Sequence, residues 1–442
     1  TDIHASPNYY ECFMKNKFIT LTITFTIFYG FNANALSLKD AINESLVNNL
    51  SLKEEGYNVS IAEEDYFQSK ADFFPTITLS GNIAESEYTD ITSQGGTGSA
   101  GYELSPSSKS VILSQNIFSG FNKIFSARST KGSLAATKLN QEKIKQDIIL
   151  ETIEAYYNVI LAQKTVNSYE DNLKSVEEQF KATTKEYEVG LSSKTDVAQS
   201  EAFYNNAKIS LLESQIIEKN LRDSFSDLTG VTADDLKFSE IDTALPTTLG
   251  EYRDVVNSNN YAIRLARANL DISNANIGIA RSAYLPQVSL TATKSELDEY
   301  SSTVDSLTNE EIKATVTWPI FNSGKSLSNV RKAKKARNLQ MIQLQKIQNE
   351  IVTLSSNIWQ KHLISERTIK AAELTYEANK IAYRGTEIEQ EVGERSVLDV
   401  LTARKALLNS EIAYFTKQKD REVTKTQVLY MAGSLNVDTL GL

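Results

Sequence analysis

Groups that carry covalent or metal chemistry are scarce in this chain. Its two histidines, His4 and His362, and its single cysteine, Cys12, cannot assemble a Cys/His metal site or a Cys- or His-based catalytic centre. Chemistry would then rest on carboxylates and hydroxyls alone, and no spacing argues for that, so no enzyme activity, metal or cofactor is expected. The polar residues that do recur in a pattern lie in one short motif carried twice. One copy is Tyr187 to Val197, Y-E-V-G-L-S-S-K-T-D-V; the other is Gln390 to Val400, Q-E-V-G-E-R-S-V-L-D-V, 203 residues later in register. Ser193 with Asp196, and Ser396 with Asp399, have the spacing of capping boxes, in which hydroxyl and carboxylate each take an orphan amide of a new helix. Gly190 and Gly393 suit the left-handed position just past a helix end. Each motif therefore reads as a helix end, a reversal and a second helix.

The elements that must position these turns are long. Apart from Pro7, proline occurs only at 75, 106, 246, 286 and 319, which leaves 107–245 and 320–442 free of breakers. One long helix is expected over 121–187 and another over 325–391, each about 100 Å at 1.5 Å per residue. Val166, Tyr169, Leu173, Val176, Phe180, Thr183 and Tyr187 keep the 3-4 spacing of a coiled-coil seam. Shorter helices are expected over 36–72 and 193–228, and end to end they would match the long helix in length. Residues 231–246 form an acidic linker, and the order then restarts, so 36–230 and 247–435 are two repeats followed by a tail, 436–442.

Between the helices lie period-two segments. Ile77, Leu79 and Ile83 alternate with Thr76, Thr78 and Ser80; Val288, Leu290 and Ala292 alternate with Ser289, Thr291 and Thr293. Strands are expected at about 76–84, 110–118, 287–294 and 311–320, with a Gly/Ser-rich loop at 88–109 and an acidic loop at 298–311. Two strands per repeat cannot bury a face or hide their edges. Closure needs several chains, and three would give twelve strands, within the range of bacterial barrels.

From Met14 the chain reads M-K-N-K, an apolar and threonine run from Phe18 to Tyr29, then Ala33-Asn34-Ala35: the three regions of a secretory signal over 14–35. The run also alternates like a strand, but its basic start and cleavage motif decide for a signal. Residues 1–13 read as an upstream segment, and Cys12 precedes the apolar run, so it is no lipidation site. No later stretch offers the roughly 18 continuous apolar residues of a membrane helix. Net charge is −10 and no basic stripe with interleaved aromatics occurs, so nucleic acid is not an expected partner.

The duplicated order, F-F-P-T-I-T-L and Y-L-P-Q-V-S-L where strands begin, I-F-S-G and P-I-F-N-S-G where they end, and the two V-G tips resemble the outer-membrane efflux protein family, the TolC-like channels. The resemblance covers Leu36 to about Leu435. It implies a mainly α protein with a membrane β-barrel: a homotrimer whose twelve-stranded outer-membrane barrel continues as a periplasmic coiled-coil tunnel. It implies a passive exit duct of a tripartite efflux or type I secretion system, lodged in outer-membrane lipid and engaging a periplasmic adaptor and an inner-membrane transporter at its tips. Val189, Gly190 and Leu191 match the adaptor-docking groove, answered in the second copy by Val392, Gly393 and Glu394. Arg395 and Asp196 match positions that close the entrance by an ion pair between neighbouring hairpins, and Asp399 matches one aspartate of a constricting ring. Thr402 and Gln390 stand where the family has a second aspartate and a gate tyrosine. A soluble periplasmic coiled-coil scaffold or adaptor is the alternative, and it would need the strand pairs to form a soluble domain.

Overall fold

The computed structural model describes residues 36–89, 102–301 and 303–441; the signal and upstream segments expected over 1–35 lie outside the described residues. Leu36–Leu442 forms one compact unit. Its first repeat runs α1 (Leu38–Asn48), α2 (Leu50–Ala71), β1 (Thr76–Ile83), β2 (Ser86–Tyr88), β3 (Tyr102–Leu104), β4 (Ser107–Ser119), α3 (Asn122–Glu188) and α4 (Lys194–Thr229). The second runs α5 (Leu249–Asn259), α6 (Tyr261–Ser282), β5 (Gln287–Ser301), β6 (Val304–Thr317), α7 (Lys325–Glu391) and α8 (Val397–Met431).

Each 36–72-type helix is in fact two helices. Asn49 and Asn260 break the run because their amide side chains accept from the amides of Leu52 and of Ala262 and Ile263, capping a new helix inside the old one. The break is a socket. Asn48 Nδ2 donates to the Thr229 carbonyl at 3.0 Å, and Asn260 Nδ2 to the Met431 carbonyl at 2.9 Å, so α4 and α8 each end against a break. The half-length helices thereby continue one another alongside the unbroken α3 and α7, 67 residues each, about 100 Å long.

Four strands form one antiparallel sheet in the order β1-β4-β5-β6, leaving β1 and β6 as open edges. Its register puts Ile77, Leu113, Ala292 and Ile312 in one cross-strand row, with Leu79, Val111, Lys294 and Glu310 the next row on that face. The opposite face carries Thr76, Ser114 and Thr291, then Ser80, Ser110 and Ser295, with Ser80 and Ser110 hydroxyls 2.7 Å apart. Apart from the Lys294–Glu310 pair, the first face is apolar and uncovered, Ile77 being 71% and Ile312 81% exposed; the other is mostly hydroxyls, with Ile112, Glu311 and Lys313 among them. That is the pattern of a barrel wall with lipid on one side and water on the other.

Aromatics gather where the strands meet the helices: Phe73 and Phe74 before β1, Phe118 and Phe121 after β4, Tyr284 before β5, Trp318 and Phe321 after β6. Trp318 is exposed, and its Nε1 donates to the Tyr284 carbonyl at 3.0 Å, so it presents an apolar ring with its polar atom satisfied, as interfacial tryptophans do.

Two expectations about segments are corrected, and a third gains detail. The acidic stretch 298–311 is mostly strand: β5 continues to Ser301 and β6 starts at Val304, with Glu310 offset by Lys294 directly across the hairpin at 2.8 Å. Within 88–109, β3 and the start of β4 replace part of the loop, while its Gly/Ser run falls at 90–101, outside the described residues. Residues 231–246 and 436–441 are no loose linker and tail. Ala233, Leu236, Ile241, Leu435 and Leu440 are buried with Leu38, Ile42, Tyr156, Tyr157 and Phe225 in the main core, at the level where the stacked helices meet.

Glu422 on α8 ties this belt down. Fully buried, it accepts from Arg421 Nε at 2.7 Å, from the Ile241 amide at 2.8 Å and from Lys425 Nζ at 3.3 Å. Tyr157 donates to the Ser239 carbonyl at 2.6 Å. A short strap of chain is thus held to the bundle by a satisfied buried carboxylate.

Candidate functional site at the helix tips

At the far end of the bundle each hairpin closes with the same geometry. Gly190 and Gly393 both have φ of +80°, a conformation costly for any residue with a Cβ. Leu191 N donates to Glu186 O at 2.8 Å and Gly190 N to Tyr187 O at 3.0 Å; Glu394 N to Glu389 O at 2.8 Å and Gly393 N to Gln390 O at 2.9 Å repeat the motif. These paired bonds satisfy the last carbonyls of α3 and α7. Capping boxes then start the return helices: Ser193 Oγ accepts from the Asp196 amide and the Asp196 carboxylate from the Ser193 amide at 3.1 Å, with Ser396 and Asp399 alike at 3.0 Å.

Hydrogen bonds from Ser193 hold the Asp196 carboxyl below the usual carboxylate range, and those from Ser396 do the same for Asp399, with a smaller contribution from nearby Arg395. Both therefore stay ionised at any periplasmic pH. The two copies differ at five positions, one of which introduces an arginine beside the turn. Arg395, where the first copy has Ser192, donates to Glu389 Oε2 at 2.9 Å, across its own turn, and Glu389 raises its pKa further. Within one chain, then, Arg395 is held by Glu389 and Asp196 by Ser193. The single chain does not bring Arg395 and Asp196 together.

Val189, Leu191 and Val392 are about three-quarters exposed, an apolar tip on an otherwise polar rod. Glu394 and Thr402 are exposed as well, Thr402 one turn beyond Asp399 on α8.

Just above the tips lies a feature that the motif did not reveal. Ser175 on α3 and Tyr383 on α7 share a hydroxyl contact at 2.9 Å, and Tyr383 also donates to Glu387 at 2.9 Å. The Arg404 guanidinium lies 5.4 Å from the centre of the Tyr383 ring. They line a half-open cavity of about 410 Å³ with Gln179, Glu186 and Gln390. Burial raises the Tyr383 pKa, so its hydroxyl stays protonated and able to donate. The contact bridges the two hairpins, so their relative position is set here by polar groups. Spacing gives no hint of it, since Ser175 and Tyr383 lie on different repeats.

An uncovered apolar sheet face at one end, a rod of about 100 Å, and charged hairpin tips at the other define an outer-membrane channel with a periplasmic extension. The chain belongs to the outer membrane efflux protein family, which matches residues 41–220 and 254–434, one match per repeat. It is an exit duct: its strands lie in the outer membrane, its helices reach into the periplasm, and substrates pass outward through it. The outer membrane efflux protein BepC of Brucella suis is 25% identical over 418 residues, 94% of this chain and 90% of BepC. The probable efflux pump outer membrane protein TtgC of Pseudomonas putida is 25% identical over 394 residues, 85% of this chain and 78% of TtgC. A solved structure of CusC shares the fold, with a TM-score of 0.78 at 18% identity, covering 90% of this chain and 92% of that one.

Proposed function

We propose that three copies close the duct and that its tips are both the dock and the gate. The observation that carries this is the sheet, whose two open edges and one apolar face leave it unfinished in a single copy. Edge-to-edge pairing of three copies makes a twelve-stranded barrel, of the even-numbered kind. At the opposite end, exposed Val189, Leu191 and Val392 offer apolar anchors around Gly190 and Gly393 to a periplasmic adaptor, with Glu394 distinguishing the second dock from the first. An inner-membrane transporter working through that adaptor supplies the energy.

In the assembled duct Arg395 reaches Asp196 of a neighbouring hairpin, while Asp399 and Thr402 line the constriction. Arg395 must leave Glu389 to do so, an exchange between two solvent-accessible carboxylates whose pairs differ little in energy because water screens both. A near-balanced exchange suits a gate, because adaptor binding that prefers one arrangement shifts the population. Planar-bilayer recording of Arg395→Ala and Asp399→Ala tests the assignment. Each should raise conductance or alter cation preference, and unchanged currents in both would remove Arg395 and Asp399 from the gate.

A further inference from the structure

The junction between the two repeats inside one chain is a template for the junction between copies. Helices α3 and α7 have 67 residues each, and α2 and α6 have 22 each, so the repeats align without a gap. In the row α2-α3-α6-α7, α3 packs on α6 while α2 and α7 are the outer members, each with a free flank. They sit beneath β1 and β6, the two open sheet edges. Joining those edges between copies therefore brings α7 against the partner's α2, as α3 meets α6.

Four contacts hold α3 on α6. Ser129 Oγ donates to Asn276 Oδ1 at 3.0 Å. The Phe125 ring covers Gly278 so closely that a Cβ there would lie 2.3 Å from it, and Ile272 covers Gly132, where a Cβ would lie 2.8 Å from its side chain. The aligned residues on α7 are Lys332, Ser328 and Lys335, and on α2 they are Asp65, Phe67 and Ile61.

Three of the four exchanges are complementary. The neutral hydrogen bond becomes an ammonium facing a carboxylate, a shorter and stronger kind of bond. The Phe-over-Gly contact is inverted into the partner's Phe67 over Ser328, so the bulky side chain changes helix while the space it needs is kept. Lys335 can lay its aliphatic stem along the partner's Ile61. A fourth contact, Asn122 Nδ2 to Ser282 Oγ at 3.1 Å, becomes Lys325 beside the partner's Ala71 and carries no bond.

The free chain leaves all of these groups uncommitted. Phe67 is 65% and Ile61 60% exposed, and Lys332 and Asp65 form no salt bridge among the described residues. Lys332 and Lys335 lie in the run R-K-A-K-K-A-R at 331–337, with no carboxylate in the first turn of α7.

We propose that α7 docks on the partner's α2 in the register of the internal α3–α6 seam, with Lys332 paired to the partner's Asp65 and Ser328 receiving the partner's Phe67. The surface is a lock between copies of this chain, and it rests on the closure of the sheet by several copies. The test uses the full chain carrying Cys12→Ser, purified in detergent. Asp65→Cys with Lys332→Cys should give a ladder of covalently linked copies on oxidation, absent from either single variant and from Asp65→Cys with Leu339→Cys. Asp65→Lys should abolish the heat-resistant oligomer, and adding Lys332→Asp should restore it. Cross-linking through Leu339→Cys instead, or neither cross-link nor restoration in a protein whose native mass is oligomeric, overturns the register while leaving closure intact. A monomeric native mass for the unsubstituted protein overturns closure itself.

Discussion

Replacing Glu422 by alanine probes how the middle of the duct is held. The carboxylate is fully buried, and it balances Lys425, at 16% exposure, while sharing Arg421, at 17%, with Glu240. Its removal leaves the largely buried Lys425 without a carboxylate, leaves Arg421 with Glu240 alone at 2.9 Å, and leaves the Ile241 amide without its acceptor at 2.8 Å. Breaking a buried ion pair from one side costs about 3–5 kcal/mol. At about 1.4 kcal/mol per factor of ten, the Ile241 amide should open and exchange with solvent roughly two to more than three orders of magnitude faster. Tyr157→Phe, which removes only the bond to Ser239, should change local exchange by about tenfold or less. Hydrogen exchange read by mass spectrometry on a peptide spanning 236–246 makes the comparison. Equal exchange in wild type and Glu422→Ala would falsify the claim that the carboxylate pins the strap.

Other perturbations act on the tips and on the one histidine of the described chain. Ser193→Ala and Ser396→Ala each remove a side-chain cap and should destabilise the first turn of α4 or α8 by about 1 kcal/mol, seen as several-fold faster amide exchange there with the barrel unaffected. The depressed pKa values of Asp196 and Asp399 fix the sign of the pH response. Their stabilisation is fully present above the ordinary carboxylate pKa near 4 and is lost as pH falls through the lowered values, so tip exchange corrected for intrinsic rates should be flat from pH 5 to 8. His362 behaves differently. Burial against Trp359 lowers its pKa, with Lys425 acting in the same sense and Glu366 and Glu422 opposing, and its Nδ1 has no partner among the described residues. The folded chain then binds fewer protons than the unfolded one below about pH 6.5, and its stability should fall as pH drops from there. His362→Phe should flatten that slope in thermal melts recorded between pH 5 and 7.

The sequence displays most of the duct because its devices are local. Period-two alternation at Ile77, Leu79 and Ile83 is the apolar face of β1, and Gly393 with Ser396 and Asp399 is a turn written in consecutive residues. What stays hidden is either long-range or disguised by polarity. Glu422 looks like a solvent-facing charge, although it shares the i, i+4, i+7 stripe of buried Thr426 and Leu429, a phase that could have revealed it. The acidic stretch 298–311 looks like loop because charge is rare in strands, yet Asp298 pairs with Ser306 and Ser301 with Val304. Asn49 and Asn260 look like ordinary helix residues until their side chains are seen capping α2 and α6. Arg395 shows the same limit at the site, since Glu389 precedes it by six residues across a turn and only geometry shows that the two meet at 2.9 Å.

An unfinished sheet of four strands is the structural fact on which the duct depends. Native mass spectrometry of the purified protein released from detergent micelles tests it most directly. Three copies should be released as one particle that resists dissociation without heating. A monodisperse single copy, soluble without detergent, would contradict a barrel closed between chains.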